Sequence, residues 1–306
     1  MKQSEDIKER FFNHLKELQD KITSEVEKAD GLARFKEDIW ERSEGGGGRT
    51  RVMEKGQVFE KAGVNISKVH GPLPKAMQQQ FSVGDVDFFA CGLSLVIHPA
   101  NPMVPTVHAN WRYFEIYDQT GKMIDCWFGG GQDLTPHYLF REDAQHFHSV
   151  CKDCCDKADP SFYRLFKKRC DDYFWNTHRG EARGVGGIFF DYCRPSEDMS
   201  LESWLRFVID CGNQFSRSYL PIVAKNKNIS YTAGQREWQE IRRGRYVEFN
   251  LVHDRGTLFG LKTNGRIESI LMSLPPRAQW VYDHQPDRGS QEEELLQVLR
   301  SPRDWA

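Results

Sequence analysis

The sequence predicts an α+β protein with a mainly antiparallel sheet, in a single domain that spans residues 1–306. Strand-like runs follow one another through tight turns, with helical segments before, between and after them. The regular alternation of strand and helix that marks a doubly wound parallel sheet is absent, and no strong linker divides the chain. A chain of 306 residues that are 39% hydrophobic can bury one large core.

The composition argues against nucleic-acid and membrane roles. The formal net charge is −2 at pH 7, without the basic excess that duplex binding needs. No apolar run approaches the ~20 residues that span a bilayer, and residues 1–18 resemble neither a signal nor a transit peptide. We therefore expect a cytoplasmic protein with reduced thiols. Zinc at Cys151, Cys154 and Cys155 is disfavoured because no second ligand pair accompanies them.

The first half of the chain predicts a long amphipathic helix followed by strands. Strands are predicted at 86–97 and 107–117 from β-branched and aromatic runs. The glycine-rich stretches 43–51 and 128–136 are predicted to be loops. Residues 4–29 carry apolar side chains at steps of three and four, which predicts one helix with a single apolar face: Ile7, Phe11, Leu15, Leu18, Ile22 and Val26.

The second half predicts helices and further strands. Asn264-Gly265 lies between apolar runs and predicts a hairpin turn. Ser290 and Glu293 form a capping box that begins a closing helix. From apolar spacing and caps, helices are predicted at 141–157, 159–178 and from Ser200 to about Leu220. Strands are predicted at 188–192, 246–256, 258–263 and 266–274.

A polar row occupies the strand predicted at 107–117. Alternate residues of a strand face the same way, so His108, Asn110 and Arg112 share one face, about 7 Å apart, while Trp111 faces the other. An isolated row of this kind is typical of a solvated edge strand. Aromatic residues crowd both faces here, however, and a buried arginine is normally matched to an anion. The row therefore favours an acidic ligand.

Arginines recur in or beside glycine-containing turns. Glycine lets backbone N–H groups approach an anion, and arginine binds a carboxylate through two parallel hydrogen bonds. Solvated arginines are the alternative, but the number of such turns favours a ligand with several anionic groups. No Walker-type or dinucleotide-binding glycine motif is present, so a nucleotide cofactor is not expected. The arginines are Arg49, Arg51, Arg179, Arg183, Arg245, Arg255 and Arg266.

Two acids and four histidines complete the candidate site. Asp133 and Asp254 lie beside these turns, where an aspartate can be a fixed acceptor for N–H donors of a ligand or a general base, although a turn-forming role is the alternative. Hydrogen-bonded or acid–base histidines are favoured over a divalent metal site, which is the less favoured alternative. The histidines, whose spacings match no compact metal motif, are His98, His108, His148 and His178.

Several blocks of the sequence resemble one enzyme family. The segments SLVIHPANPMVPTVHANWR, WFGGGQDLTP, THRGEARGVGGIFFD and GRYVEFNLVHDRGTLFGLKTNGRIESILMSLPP are similar to the oxygen-dependent coproporphyrinogen III oxidases of haem biosynthesis. The resemblance implies a flat antiparallel sheet between helices and a homodimer formed through a region at about 246–282. It also implies oxidative decarboxylation of two propionates of coproporphyrinogen III to vinyl groups, giving protoporphyrinogen IX, carbon dioxide and hydrogen peroxide.

The resemblance also implies roles for single residues. His108 occupies the position of a proton donor, and Asp254 and Arg255 those of a pair at the pyrroles and a propionate. Dioxygen is the implied co-substrate, with no organic cofactor. Substrate contacts are implied for Ser94, Asn110, Trp111, Arg112, Asn264, Gly265 and Arg266, and we add Asp133. The divalent metal described for bacterial relatives would use His98, His108, His148 and His178.

These roles predict a mechanism. We expect Arg112, Arg255 and Arg266 to clamp propionates, and Asp254 to help deprotonate a pyrrole that then reacts with dioxygen. His108 would move protons nearby. A metal-dependent oxygenase and a non-catalytic carrier of tetrapyrroles or other anions are the alternatives. Activity after chelation tests the first alternative, and oxygen-dependent vinyl formation tests the second.

Overall fold

One antiparallel sheet dominates the computed structural model, which confirms the predicted α+β class. The structure describes residues 2–262 and 265–306, without the side chains of residues 2–6, 259 and 262. The strands are β1 (Lys36–Glu41), β2 (Gly46–Glu54), β3 (Phe59–Pro72), β4 (Asp87–Pro99), β5 (Thr106–Tyr117), β6 (Met123–Thr135), β7 (Trp175–Asn176), β8 (Glu181–Ala182) and β9 (Gly186–Cys193). Their order in the sheet is β1-β2-β3-β4-β5-β6-β9, and β7 pairs with β8 separately.

Helices flank this sheet on both sides. They are α1 (Lys2–Asp30), α2 (Lys75–Phe81), α3 (Arg141–Ala158), α4 (Phe162–Tyr173), α5 (Leu201–Asn213), α6 (Phe215–Asn226), α7 (Ala233–Val252), α8 (Arg255–Lys262), α9 (Ile267–Leu271) and α10 (Gln291–Arg300). Among the helices in the described residues, none is long and apolar enough to cross a membrane. Most buried apolar side chains form one continuous core, as expected for the predicted single domain.

The N-terminal helix packs as its apolar spacing predicts. All six predicted face residues of α1, from Ile7 to Val26, are at most 3% exposed. Phe11 packs edge-on against Phe128 of β6, with ring centroids 5.2 Å apart. Because α1 contacts β3, β4, α5 and α6, this helix closes the core on one face of the sheet.

The two faces of β5 have opposite characters, as predicted. Val107, Ala109, Trp111 and Tyr113 are buried in the core, and Trp111 packs edge-on against Phe215 of α6 at 6.2 Å between ring centroids. The alternate residues, among them the predicted polar row, face the side that carries α7 and α9. The polar row is therefore not part of an exposed edge strand, because β5 lies between β4 and β6.

Both glycine-rich stretches predicted as loops are mainly strand. Residues 46–51 belong to β2 and 128–135 to β6. Strand neighbours approach these glycines too closely for a side chain: a Cβ atom on Gly48 would lie 2.3 Å from the Trp40 ring, and one on Gly131 would lie 2.2 Å from the Ile188 carbonyl oxygen. The glycines thus permit close packing within the sheet, which composition alone does not distinguish from a loop.

The segment 246–256, predicted to be a strand, is mostly helical. Residues up to Val252 belong to α7, whose first turn is fixed by a capping box between Thr232 and Gln235. The prediction followed the alternating apolar residues of YVEFNLV. The apolar residues that α7 buries instead recur with helical spacing, at Trp238, Ile241, Tyr246 and Phe249.

The predicted hairpin at 264–265 is wrong in its flanking strands. Asn264 lies outside the described residues, but the segments on either side are α8 and α9. The Gly265 N–H donates to the Gly260 carbonyl at 2.9 Å, and a Cβ atom on Gly260 would lie 2.7 Å from Ile270 Cδ1. Asn-Gly between apolar runs therefore joins two short helices that pack closely at a glycine, a contact that the local turn signal does not reveal.

The remaining helix predictions differ from the structure in more than their ends. The single helix predicted from Ser200 to about Leu220 is two helices, α5 and α6, divided at Gln214, and α6 continues past Pro221 to Asn226. The α3 helix begins and ends within one residue of its prediction, whereas α4 stops at Tyr173 and gives way to β7.

Ser200 and Ser290 are N-caps, since their side chains accept hydrogen bonds from Ser203 N and Glu293 N. The predicted capping box is incomplete, because the Glu293 carboxylate accepts from Gly289 N and not from Ser290 N.

Candidate active site

A cleft of about 660 Å³ lies over the polar face of the sheet. Strands β4 and β5 form its floor, and α2, β9 and residues within 254–258 and 269–273 contribute to its walls. Its volume lies within the range of about 300–1,000 Å³ that is usual for small-molecule sites. The predicted site residues that line it are Ser94, His108, Asn110, Arg112, Arg183, Asp254 and Arg255.

The predicted polar row is continuous along the floor. Asn110 Nδ2 lies 3.3 Å from His108 Nε2, and Arg112 Nη1 donates to Asn110 Oδ1 at 2.9 Å. Ser94 stands opposite Asn110 in the register between β4 and β5. The sheet therefore places an imidazole, an amide and a guanidinium side by side on one face, as the two-residue period predicts.

A buried ion pair between Asp133 and Arg183 fixes His108. Asp133 stands opposite His108 in the sheet, and its Oδ1 lies 2.8 Å from His108 Nδ1. Arg183 Nη2 donates to both carboxylate oxygens of Asp133, at 2.8 and 2.9 Å. Burial alone would raise the pKa of Asp133, but Arg183 and His108 outweigh it and lower that pKa. Asp133 contacts His108 and does not line the cleft, whereas the sequence predicted a direct contact with the substrate.

Aromatic rings and an amide surround the Arg183 guanidinium. Its carbon lies 4.0 Å from the ring centroid of Phe174, 4.7 Å from that of Tyr246 and 4.9 Å from that of Phe249. Nη1 donates to Asn250 Oδ1 at 3.0 Å. Burial would lower the pKa of Arg183, yet Asp133 raises it above its ordinary value, so this cation is a fixed part of the site.

Asp254 and Arg255 line the cleft at the start of α8. Asp254 precedes α8, and its carboxylate accepts hydrogen bonds from Thr257 N at 2.7 Å and from the Tyr173 hydroxyl at 2.9 Å. The Arg255 guanidinium lies 4.8 Å from the Tyr173 ring centroid. Asp254 is thus the N-cap of a helix, although the sequence predicted the end of a strand.

An aromatic wall closes one side of the cleft. Phe114 stacks on Trp127 with ring centroids 4.6 Å apart, and Trp127 contacts Tyr192 at 5.3 Å. Phe81 of α2 packs against the same rings, at 5.3 Å from Trp127. The cleft therefore combines a charged and an apolar half, which suits a large ligand that carries both kinds of group.

Besides Asp133, four predicted substrate contacts lie away from the cleft or outside the described residues. Trp111 is buried on the other face of the sheet. Arg266 pairs with Asp38 of β1, and neither Arg266 nor Gly265 lines the cleft. Asn264 lies outside the described residues. The predicted clamp is therefore reduced to Arg112 and Arg255 among the residues that the structure places at the cleft.

The other predicted arginine turns are occupied by acids of the chain itself. Arg49 pairs with Asp20 at 2.8 Å, and Arg51 with Glu37 at 2.8 Å. Glu248 binds two more, Arg179 at 2.7 Å and Arg245 at 3.0 Å. These arginines do not line the cleft, so sequence proximity to glycine predicted more ligand-facing cations than the fold provides.

The structure does not bring the four histidines of the metal hypothesis together. Within the described part of the chain, no group of three or more His, Cys, Asp or Glu side chains could hold a metal ion. His98 Nε2 donates to the Ser273 carbonyl at 2.9 Å, and His148 Nε2 to that of Val185 at 3.1 Å. His178 lies 2.8 Å from Glu248. Burial lowers the pKa of His148 to about 3. These residues therefore do not fit one shared metal site.

Sequence reasoning missed several residues of the site. Asp191 and Tyr192 enter from β9, Tyr173 from the end of α4, and Asn250 from α7. Of these residues, Asp191 alone gave a signal in the sequence. It is the acid of the predicted buried strand IFFDY, and a buried carboxylate needs a partner. The positions of Tyr192, Tyr173 and Asn250 at the cleft depend on which distant segments meet over the sheet. No local sequence pattern indicates this.

The fold and site together define an enzyme class. A deep cleft with a histidine held by a buried carboxylate, a pair of arginines and an aromatic wall is typical of an enzyme acting on an extended anionic ligand. The family profile for coproporphyrinogen III oxidase matches residues 10–305. The chain belongs to the coproporphyrinogen III oxidase family, which confirms the resemblance seen in the sequence.

Relatives from plants and animals match nearly the whole chain. A Glycine max protein named oxygen-dependent coproporphyrinogen-III oxidase, chloroplastic, is 52% identical over 99% of this chain and 80% of its own length. A mitochondrial counterpart from Rattus norvegicus is 52% identical over 98% of this chain and 69% of its own. The Drosophila melanogaster oxidase of the same name is 50% identical over 98% of this chain and 79% of its own.

Proposed function

We propose that this protein catalyses the oxygen-dependent conversion of coproporphyrinogen III to protoporphyrinogen IX in haem biosynthesis. Two propionate side chains become vinyl groups. For each one, a hydrogen leaves the β-carbon, the bond to the carboxylate carbon breaks, and the electron pair reduces dioxygen. One proton is consumed, and carbon dioxide and hydrogen peroxide are released. The proposal rests on family membership together with one cleft that carries His108, Asp254 and the exposed arginines Arg112 and Arg255.

Substrate positioning falls to the two halves of the cleft. Arg112 and Arg255 present guanidinium groups to the propionates, and a charge-assisted pair is about twice as strong as a neutral hydrogen bond. The wall formed by Phe114, Trp127 and Tyr192 offers ring faces to the pyrroles. Holding a propionate close to the site of oxidation can supply several kcal/mol of the barrier, about 7–11 in the best model reactions.

Asp254 is our candidate for the group that activates the pyrrole. Its carboxylate is fixed by the Tyr173 hydroxyl and the Thr257 N–H, and each oxygen retains a lone pair for a pyrrole N–H. Deprotonation makes the ring electron-rich, so that it reacts with dioxygen directly. The peroxide so formed takes the hydrogen from the propionate β-carbon. Burial and, to a smaller extent, the charge of Asp254 raise the pKa of Tyr173 to about 12. The Tyr173 hydroxyl therefore remains a donor.

His108 is our candidate for proton transfer at the other edge. Asp133 holds its Nδ1 at 2.8 Å, so Nε2 points toward the cleft beside Asn110. An imidazole in this orientation can pass a proton to or from the peroxide. We propose that no organic cofactor or metal takes part, with dioxygen as the co-substrate. In support, the four histidines of the metal alternative have separate partners within the chain.

We also propose that the protein forms a homodimer through the predicted region at about 246–282. Several apolar side chains there are unusually exposed, and Tyr282 is 99% exposed. An exposed apolar patch marks a contact surface, and we propose that these side chains form one. The other members are Leu251, Val252, Leu261, Ile267 and Trp280. Sedimentation of the wild type and of Val252→Asp tests this proposal. We expect the wild type to be a dimer and the variant a monomer, and a wild-type monomer would contradict the proposal.

The compartment stays a prediction. A cytoplasmic location was expected from the sequence, whereas the soybean and rat relatives are named chloroplastic and mitochondrial. Cell fractionation followed by detection of the protein in each compartment distinguishes these locations.

Product analysis with and without oxygen tests the proposed activity. Purified protein is incubated with coproporphyrinogen III in air and under strict anaerobiosis, and vinyl-containing products are separated by chromatography. We expect vinyl formation only in air. Binding of the tetrapyrrole without conversion in either condition would instead identify a carrier.

A further inference from the structure

A bulge in β9 brings an acid to the arginine clamp. Cys193 pairs with Phe128 and Phe190 with Gly130, so two residues, Asp191 and Tyr192, stand opposite Gly129 alone. Tyr192 adopts a left-handed backbone conformation at φ 54°. The extra residue places two successive side chains on the cleft side, and both line the cleft. The bulge thus re-aims Asp191 toward the floor of the site.

The Asp191 carboxylate reaches across β6 to the polar row. Its Oδ2 lies 2.9 Å from Arg112 Nη2 on β5 and 3.8 Å from Arg255 Nη2 on α8. The intervening position is Gly129, where a Cβ atom would lie 2.7 Å from Asp191 Oδ1 and 2.9 Å from Arg112 Nε. A glycine is therefore required for this ion pair to form across the strand.

The contacts hold Arg112 in one orientation while leaving it accessible. Asn110 accepts from Nη1 and Asp191 from Nη2, so two of the five N–H donors of the guanidinium are fixed. The Arg112 side chain is still 38% exposed, and that of Arg255 is 56% exposed. Ion pairs this exposed contribute little to stability, and a stability role would not require a carboxylate shared by two arginines in the cleft.

We infer that Asp191 is a positioning residue that fixes Arg112 and draws Arg255 toward it to form a clamp for one substrate carboxylate. Two guanidinium groups and one carboxylate leave one net positive charge, which matches a single propionate. The inference rests on the proposed function and assigns the orientation of the clamp to β9. Without Asp191 the two positive charges remain, but their directions are no longer set.

Steady-state kinetics of Asp191→Asn tests the inference. Asn keeps the shape and can still accept from Tyr192 N, which Asp191 Oδ1 binds at 3.0 Å, but it lacks the charge that holds the arginines. We expect kcat to fall at least about tenfold through lost orientation, with KM for coproporphyrinogen III within about threefold of wild type and an unchanged melting temperature. A purely structural role would lower the melting temperature and leave kcat of the folded protein unchanged.

Asp125→Asn is the matched control. Asp125 binds Arg194 at 2.7 Å near the ends of β6 and β9, and it does not line the cleft. This variant should behave as wild type. A kcat of Asp191→Asn within twofold of an active wild type would overturn the inference alone, as would a raised KM with unchanged kcat. An inactive wild type would overturn the proposed function and the inference with it.

Discussion

His108 depends on two charges that are almost completely buried. Asp133 and Arg183 each have side chains only 1% exposed, and a buried pair of this kind is stable only while both partners remain. The polar row that includes His108 was predictable from strand periodicity. The ion pair that supports His108 was not predictable. Arg183 lies in a turn fifty residues beyond Asp133 in the chain, and the sequence predicted that it binds a ligand.

Asp133→Asn should destabilise the protein strongly at neutral pH. The change leaves Arg183 buried and uncompensated, so we expect a loss of about 3–5 kcal/mol in the free energy of unfolding at pH 7. Because folding lowers the pKa of Asp133, its contribution is present above about pH 4, the ordinary pKa, and is lost as the pH falls through the folded value.

Denaturant unfolding across pH checks this expectation. The difference between wild type and Asp133→Asn should be full at pH 7 and narrow below about pH 4. Asp125→Asn, which removes a surface pair, should cost less than about 1 kcal/mol at any pH. Equal stability of wild type and Asp133→Asn at pH 7 would contradict the ion-pair assignment.

Asp254 can be tested for chemistry apart from its role as a helix cap. Asn at this position retains an acceptor for Thr257 N, so α8 should keep its cap. Loss of a general base typically costs a factor of about 10²–10⁴, and we expect turnover of Asp254→Asn to fall by at least about 100-fold with unchanged unfolding energy. Asp254→Ala should lose turnover similarly and about 1 kcal/mol of stability besides. Near-wild-type turnover of the Asn variant would remove Asp254 from the mechanism.

At the scale of elements, sequence patterns located strands β4 and β5 and helices α1 and α3 well. These elements have one uniform apolar face or stripe, so local spacing and tertiary packing agree. The prediction was wrong for α7. The apolar residues of YVEFNLV alternate as in a strand, whereas the buried face of the helix combines apolar and charged residues. Arg242 and Arg243 are both buried in that helix, and a buried arginine interrupts the apolar signal on which such predictions rest.

Two glycines of β6 should respond differently to substitution. In Gly129→Ala the new methyl group meets movable side-chain atoms of Asp191 and Arg112, whereas in Gly131→Ala it meets the Ile188 carbonyl oxygen at 2.2 Å. We expect Gly129→Ala to lower kcat/KM about tenfold with little change in stability, because it displaces the clamp. Gly131→Ala should cost about 1–3 kcal/mol through overpacking.

Thermal unfolding and steady-state kinetics on the same preparations separate the two effects. Wild-type kcat/KM for Gly129→Ala would show that the ion pair across β6 is not needed for turnover. Wild-type stability for Gly131→Ala would show that β6 and β9 can separate locally at little cost.

At the scale of the whole molecule, the site exists only because distant segments meet over the sheet. Strands β4 and β5 form the floor. The arginine clamp combines Arg112 of the floor with residues from β9 and α8, and the aromatic wall is formed by α2, β5, β6 and β9. Motifs in the sequence indicated the floor and the pair Asp254 and Arg255. They could not indicate which of seven arginines face the ligand, since that choice depends on which acids of the chain already bind the others.

Oxidative turnover by metal-depleted protein tests most directly whether the side chains of this cleft suffice. Wild-type protein is treated with a chelator and desalted, and its metal content and its aerobic conversion of coproporphyrinogen III are measured on the same sample. We predict undiminished formation of protoporphyrinogen IX, with one carbon dioxide and one hydrogen peroxide for each vinyl group. Loss of turnover in parallel with the metal, and its return when one divalent cation is added back, would contradict the account.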